Sequence, residues 1–121
     1  MSQPAQHYAN SARAGMSPRE SEASALVKAA ARLQLAAERE VPGNAAFEAA
    51  LTHNRKLWTV ILSSVSRPES ELPPELRGAV LTLANFVLNH TIATTAAPDA
   101  AKLACLIGIN RDLAAGLRGQ A

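Results

Sequence analysis

The chain has very few residues of the kinds that build β-sheets. Only four of its 121 residues are aromatic, and alanine and leucine dominate an apolar fraction of 48%. Because alanine and leucine favour helices, whereas strands favour β-branched and aromatic residues, this composition excludes an all-β fold and favours an all-α one. The length suits one domain with a core of its own, so we treat residues 1–121 as a single helical domain.

Disulfides, long charge runs and a signal sequence are also lacking. Cys105 is the only cysteine, so no intramolecular disulfide can form, as is usual in a reducing compartment. Basic residues exceed acidic ones by two, and no run of like charges is longer than Arg55-Lys56, so the chain has no basic tail of the kind that binds nucleic acid. Residues 1–10 contain no apolar run followed by a cleavage site, and we expect a cytoplasmic protein.

Patterns typical of catalysis are missing as well. His7, His53 and His90 fall on separate predicted elements, and none has a histidine or carboxylate three or four positions away that would complete a metal pair on a helix. The six glycines are scattered and form no phosphate-binding loop. Cys105 lies near an apolar stripe and is expected to be a small buried residue rather than a nucleophile. We therefore expect no catalytic residue, no metal and no cofactor, and not an enzyme.

One charge-free stretch, residues 78–98, is long enough in principle to span a bilayer. It contains Asn85, Asn89 and His90 together with four threonines, and it ends at Pro98. Polar side chains are costly inside a membrane, so a helix packed in a soluble bundle is the better interpretation. We expect no membrane insertion.

Helix caps and prolines divide the chain into four predicted helices. Ser17-Pro18-Arg19-Glu20 has the pattern of a capping box, in which Ser17 caps the helix and Glu20 reaches back to it. Asn44 and Asp99 can cap later helices, and Pro74 suits a first helical position. The predicted helices cover about 18–40, 45–66, 74–96 and 100–115. Their short connections favour a small antiparallel bundle of four main helices. Residues 4–14 can add a short fifth helix, within an N-terminal segment 1–16 whose polar composition does not itself specify order.

Apolar stripes mark the faces of these helices that we expect to be buried. The first helix carries Leu26, Ala30, Leu33 and Ala37; the second carries Phe47, Leu51, Asn54, Trp58, Ile61 and Val65; the fourth carries Leu103, Leu106, Asn110, Leu113 and Leu117. The third helix is apolar around most of its circumference, with Leu76, Val80, Leu83 and Val87 on one face and Leu81, Ala84, Leu88 and Ile92 beside it. It is either central in the bundle or partly exposed as a docking surface. Phe86 falls off both of its stripes and is the candidate for the exposed side.

Two stripes contain an asparagine that an arginine follows. Asn54 and Asn110 occupy stripe positions, and Arg55 and Arg111 come next in the sequence. If the two asparagines face each other, they can hydrogen-bond and fix the register of their helices. Alternatively, each Asn-Arg pair presents donors to a partner chain. Trp58, on the same stripe as Asn54, is expected in the core, although tryptophan also anchors interfaces.

Several segments together resemble the FlaF family, flagellar biosynthesis regulators of alphaproteobacteria. The resemblance lies in Ser17-Pro18-Arg19-Glu20 with the following alanine-rich helix, in the segment 54–59 with the sequence NRKLWT, and in the segment 109–117 with the sequence INRDLAAGL. An N-terminal tyrosine, here Tyr8, is a further shared feature. The similarity extends from about Tyr8 to Leu117, and the two short segments are specific as a pair.

The resemblance implies a cytoplasmic, non-enzymatic protein that binds flagellin before its secretion and acts with the regulator FlbT on flagellin synthesis. The helical terminal segments of flagellin are amphipathic, and a helix lying in an apolar groove is the physical mode that such a partner suggests. The candidate flagellin contacts are Tyr8, Arg19, Arg55, Trp58, Phe86 and Arg111. The alternative is a post-transcriptional regulator that binds flagellin mRNA together with FlbT. Mixed charges and few aromatic residues argue against RNA recognition.

Overall fold

The computed structural model describes residues 17–70 and 72–119, which contain helices and no strand. The four helices are α1 (Pro18–Arg39), α2 (Ala45–Ser66), α3 (Pro74–Ala96) and α4 (Ala100–Leu117). The predicted all-α fold is confirmed, and the bounds agree to within two residues, α4 being the helix that continues furthest beyond its predicted end. The short fifth helix predicted over 4–14 lies outside the described residues. No helix in the described part of the chain is long and apolar enough to cross a membrane.

The predicted caps form at the starts of α1, α2 and α4. The Oγ atom of Ser17 accepts from the backbone N–H of Glu20 at 3.1 Å, and Oδ1 of Asn44 accepts from that of Phe47 at 2.8 Å. Asp99 caps α4 in the same way. Each cap satisfies a backbone donor that has no partner within its helix, so these short polar residues fix where the helices begin.

The capping box at α1 is only half formed, which corrects the prediction for Glu20. Its carboxylate does not return to Ser17 but makes a bidentate ion pair with the guanidinium of Arg118, with N–O distances of 2.8 to 3.1 Å. A bidentate pair between charged groups is stronger than one hydrogen bond to a backbone amide. Arg118 follows α4 directly, so the start of α1 lies beside the end of α4.

Neighbouring helices are antiparallel, and their lateral order is α4, α1, α2, α3. Helix α1 packs most extensively against α4 and also against α2, whereas α3 packs on α2 and meets α4 only lightly. Arg77, in the first turn of α3, donates from Nε to the carbonyl of Val65 at the end of α2 at 2.6 Å. Near the α3–α4 corner, the His90 Nε2–H donates to the carbonyl of Lys102 at 2.9 Å. Helix α3 is therefore at the edge of the bundle, not central in it.

The predicted stripes of α2 and α4 are buried in full, and that of α1 is buried except at Ala37, which is half-buried while Ala36 is buried. Helix α3 differs from the prediction. Its buried side consists of Val80, Ala84, Val87, Thr91 and Thr94, and its leucines are only half-buried. The two buried threonines donate their hydroxyls to backbone carbonyls one turn earlier, at 2.7 and 2.8 Å. A satisfied hydroxyl can be buried at little cost, so α3 can lie against α2 on small residues.

Cys105 and Gly43 lie outside the core and have environments that the sequence did not indicate. Cys105 is exposed, which corrects the expectation that it is buried, because Leu103, Leu106 and Ile107 take the inward side of α4. Gly43, between α1 and α2, has a φ of +86°, and a Cβ atom there would lie 3.0 Å from Cγ of Pro98. Glycine tolerates both the left-handed conformation and this close approach, so it lets the α1–α2 turn contact the α3–α4 corner.

Candidate partner-binding surfaces

A buried polar cluster joins three helices at the centre of the bundle. The indole N–H of Trp58 donates to Oδ1 of Asn110 at 2.9 Å, and Nδ2 of Asn110 donates to Oδ1 of Asn54 at 2.7 Å and to the carbonyl of Leu26 at 3.3 Å. Trp58, Asn54 and Asn110 are all 0% exposed. Because an indole N–H can only donate, the Asn110 amide must turn its oxygen towards Trp58, which leaves its nitrogen to donate to Asn54.

This cluster settles where three of the predicted residues lie. Asn54 and Asn110 face each other inside the bundle, where they join α2 to α4, and neither is presented to a partner chain. Trp58 was a candidate flagellin contact, and we reassign it to the core, because its buried ring leaves no surface that a partner could reach. One donor, Nδ2 of Asn54, has no hydrogen-bond partner among the described residues. A buried donor without a partner costs about 1–3 kcal/mol.

The remaining candidate contacts do not converge on one site. Arg19, Arg55, Phe86 and Arg111 are exposed on α1, α2, α3 and α4 respectively. Arg19 lines a cleft of about 490 Å³ between the start of α1 and the end of α2, and Arg55 borders a different groove. Tyr8 lies outside the described residues. The surfaces below are therefore described one at a time.

The outer side of α3, which we define by Phe86 and Ile92 at its two flanks, is uncovered and uncharged, and the exposed residues between these flanks include Thr82, Asn85 and Asn89. The side chains of Phe86 and Ile92 are 47% and 66% exposed, and no charged residue occurs between Arg77 and Asp99. The ring of Phe86 stacks on that of His90, with centroids 5.4 Å apart and an angle of 16° between the planes. Because His90 is itself held by the carbonyl at the start of α4, this contact orients Phe86 while leaving about half of it free.

An apolar groove of about 430 Å³ runs between α2 and α3 beside Ile92. Its lining contains one charged residue, Arg55, and is otherwise apolar or hydroxyl-bearing: Leu51, Thr52, Thr91, Ile92, Thr95 and Ala96. Thr95 donates its hydroxyl to the carbonyl of Thr91 at 2.9 Å, so that hydroxyl is already satisfied. The groove thus combines apolar contact area with a cation at its border, a combination that suits an amphipathic helix.

A second groove, between α1 and α2, has the opposite character. It is about 530 Å³ in volume and is lined by the basic side chains of Lys28, Arg32, His53 and Lys56, together with Ser21, Ser24, Ala25, Leu57 and Val60. We call it the cationic groove. Nη1 of Arg32 lies 3.1 Å from Nδ1 of His53, and since a guanidinium can only donate, the neutral form of His53 with its proton on Nε2 is the one that accepts. Partial burial, and then the charges of Arg32 and Lys56, lower the pKa of His53.

The sequence contains no run of like charges longer than Arg55-Lys56 at the residues of the cationic groove. Its basic residues are spaced four apart on α1 and three apart on α2, and only antiparallel packing brings the two pairs together. The sequence does contain one indication that these basic residues lack partners on their own helices. None of the positions three or four residues from Lys28, Arg32 or Lys56 carries an acid, so these cations have no carboxylate neighbour on their own helix.

Among residues 17–70 and 72–119, no group of three or more His, Cys, Asp or Glu side chains is placed to hold a metal ion. The two described histidines serve separate contacts, His53 with Arg32 and His90 with Lys102. Glu22, in the cleft beside Arg19, has its pKa raised by burial.

Comparison with known proteins identifies the family. The family model described as "Flagellar protein FlaF" matches residues 4–117, nearly the whole chain. No curated protein and no solved structure matches significantly. The match includes the three segments on which the resemblance rests, 17–20, 54–59 and 109–117, as well as the helices that carry the surfaces described above. The chain belongs to the FlaF family of flagellar proteins.

Proposed function

We propose that this protein is a non-enzymatic factor of flagellum biogenesis that binds flagellin in the cytoplasm and promotes its synthesis and type III export. One observation carries the proposal beyond the family: α3 is an apolar helix that buries only one side. Its neighbour α2 covers that side, while Phe86 and Ile92 lie in a surface without charged residues. Large apolar side chains exposed on an uncharged helix are candidates for contact with a partner.

The binding mode that this surface suggests is a helix lying against α3. The apolar side of a terminal flagellin helix would cover Phe86 and Ile92 and enter the groove between α2 and α3, with Arg55 at the border. Burying an apolar side chain of this size contributes about 1.5–3 kcal/mol when it is complete, and about half of Phe86 remains to be buried. Covering the apolar side of flagellin would also keep it from aggregating until export.

The alternative, a regulator that binds flagellin mRNA together with FlbT, has weaker support. Proteins that bind single-stranded RNA stack its bases on aromatic rings beside a basic groove. No Phe, Tyr or Trp lines the cationic groove, where the imidazole of His53 is the one ring, and the exposed ring of Phe86 lies on charge-free α3. We therefore propose FlbT as a second partner in the control of flagellin synthesis, without a direct RNA contact by this chain.

The test compares an α3 variant with a matched surface variant. Phe86→Ser should weaken the affinity for purified flagellin by about tenfold, because the apolar contact is lost. Val41→Ser is the control, since Val41 is an apolar residue that is 70% exposed in the α1–α2 turn and does not line the groove between α2 and α3. It should leave the affinity unchanged. Both variants should keep melting temperatures close to that of the unmodified protein, because both side chains are exposed.

Salt dependence separates the two candidate functions. A complex built on apolar contact should survive a rise from about 50 to 200 mM salt, whereas binding through six phosphate contacts falls on the order of a thousandfold over that range. We expect a flagellin complex that persists at high salt and an affinity for the flagellin leader RNA no better than for random RNA. Tight leader binding that collapses with salt, in the absence of any flagellin complex, would contradict the proposal.

A further inference from the structure

The cationic groove is the most distinctive surface that the proposed function does not use. Arg118 and Glu20 form the one ion pair in the described residues, so Lys28, Arg32 and Lys56 have no carboxylate partner there. Lys28 and Arg32 are four positions apart on α1, and like charges at that spacing destabilise a helix by a few tenths of a kcal/mol. The arrangement is thus unfavourable in the free protein, and an anionic partner would relieve the repulsion.

The groove also has apolar and hydroxyl-bearing parts. Val60 is 65% exposed at its edge, Leu57 is half-buried, and Ser21 and Ser24 lie along α1. A small inorganic anion would use only the charges. A segment with carboxylates on one side and apolar residues beside them would use both the cations and the exposed Val60. The stretch of α1 from Ser21 to Arg32 is about 16 Å long, which corresponds to three turns of a partner helix.

We propose that the cationic groove binds an acidic amphipathic helix of a partner protein. Carboxylates of that helix would pair with Lys28, Arg32 and Lys56, while its apolar residues cover Leu57 and Val60. The site is separate from the outer side of α3, because it lies between α1 and α2, and it goes beyond the proposed function in giving the protein a second binding surface. RNA is the competing polyanion, but no Phe, Tyr or Trp lines the groove, and the imidazole of His53 is the one ring there on which a base could stack.

The test uses two synthetic helices and two charge variants of the full chain. The probe is a peptide of about 18 residues, made of Glu, Leu and Ala with the carboxylates along one side, and its control has Gln in place of Glu. The double variant Lys28→Gln, Lys56→Gln removes two charges from the groove. Arg39→Gln, Arg67→Gln removes the same charge from exposed positions that do not line the groove. Affinities are measured by calorimetry at about 50 and 200 mM salt.

The acidic peptide should bind more tightly than its Gln control. The groove variant should weaken acidic-peptide binding about tenfold, while the Arg39, Arg67 variant changes it less than twofold. The groove variant should melt at the same or a slightly higher temperature, because it removes repulsion, so a loss of binding cannot come from unfolding. Equal affinity for the two peptides, or an equal effect of the two variants, would overturn the proposal. Tighter binding of an oligouridine RNA that the groove variant abolishes would also overturn it.

A pH profile gives an independent readout of the same site. His53 lines the groove with Lys28 and Arg32 of α1 and Lys56 of its own helix, and partial burial, followed by the charges of Arg32 and Lys56, lowers its pKa in the free protein. A bound carboxylate would favour the charged imidazole, so binding would take up a proton and strengthen as the pH falls from about 7.5 to 6. His53→Gln should remove this pH dependence. An unchanged pH profile in that variant would contradict a carboxylate beside His53.

Discussion

Helices α3 and α4 are joined by a three-residue corner and are both rich in apolar residues, yet they differ in which of those residues they bury. Every predicted stripe residue of α4 is buried, and α4 packs along α1 over most of its length. In α3 the buried side is built of small residues and threonines, the leucines are half-buried, and Phe86 and Ile92 are exposed. Hydrophobicity alone therefore does not distinguish a core helix from a helix with a free side; the packing partners do.

The polar cluster belongs to the helices α1, α2 and α4 and not to α3. Trp58, Asn54 and Asn110 join α2 and α4 to the backbone of α1, and none of them contacts α3 by a hydrogen bond. Buried polar groups that find partners restrict which helix registers are possible, because a shifted register would leave them unsatisfied. We infer that α1, α2 and α4 form the part of the bundle whose arrangement is fixed most strictly.

The largest expected effect contrasts the core tryptophan with the exposed phenylalanine. Trp58→Ala should lower the free energy of unfolding by about 3–5 kcal/mol, because it opens a cavity and removes the donor to Asn110. Phe86→Ala should cost much less, since about half of that ring is already in water. Urea denaturation followed by circular dichroism measures both. Similar losses for the two variants would show that α3 belongs to the core to the same degree as α2.

The next effect tests the amide pair that links α2 to α4. In a double-mutant cycle, Asn54→Leu and Asn110→Leu should show a coupling of about 0.5–3 kcal/mol, because each amide is the hydrogen-bond partner of the other. Asn89→Leu is the matched control, since Asn89 is exposed on α3, and it should be additive with Asn54→Leu. Additivity within the buried pair would mean that their hydrogen bond does not couple the two helices in solution.

The sequence predicted the helices and most of the core because those features depend on local patterns. The stripe from Phe47 to Val65 repeats at helical spacing, and the caps of Ser17, Asn44 and Asp99 act within three residues. Features that depend on packing between distant segments were not predictable in the same way. Glu20 pairs with a residue 98 positions later, and the cationic groove requires two helices to be placed side by side.

The position of α3 in the bundle is another feature that depends on packing and not on local sequence. Its sequence is compatible with a central or a peripheral position, and only its contacts decide between them. Cys105 was misplaced because it lies close to the stripe of α4 in sequence, while the neighbours Leu106 and Ile107 take the inward positions. Residue type alone does not separate the buried Trp58 from an exposed arginine such as Arg55, because both residue types are frequent at interfaces.

The smallest expected effect concerns two glutamates of α1 whose environments differ. The hydrogen bonds and charge of Arg118 lower the pKa of Glu20 below the usual 4.5, whereas partial burial raises that of Glu22 above it. A lowered pKa means that the ion pair contributes its full stability above pH 4.5 and loses it as the pH falls through the folded-state pKa. A raised pKa has the opposite effect on stability. The stabilising contribution of Glu22 is present at low pH and is lost as the pH rises through its folded-state pKa.

The two substitutions should therefore shift stability in opposite directions at neutral pH. Glu20→Gln should lower the melting temperature slightly, and this difference should vanish in acid, because the protonated carboxyl no longer pairs with Arg118. Glu22→Gln should raise the melting temperature slightly at pH 7 and change little in acid, because it removes a charge that burial disfavours. Melting curves between about pH 3 and 8 measure both effects. If Glu20→Gln had no effect at any pH, the link between the start of α1 and the end of α4 would contribute nothing, and the buried contacts alone would hold that pair of helices together.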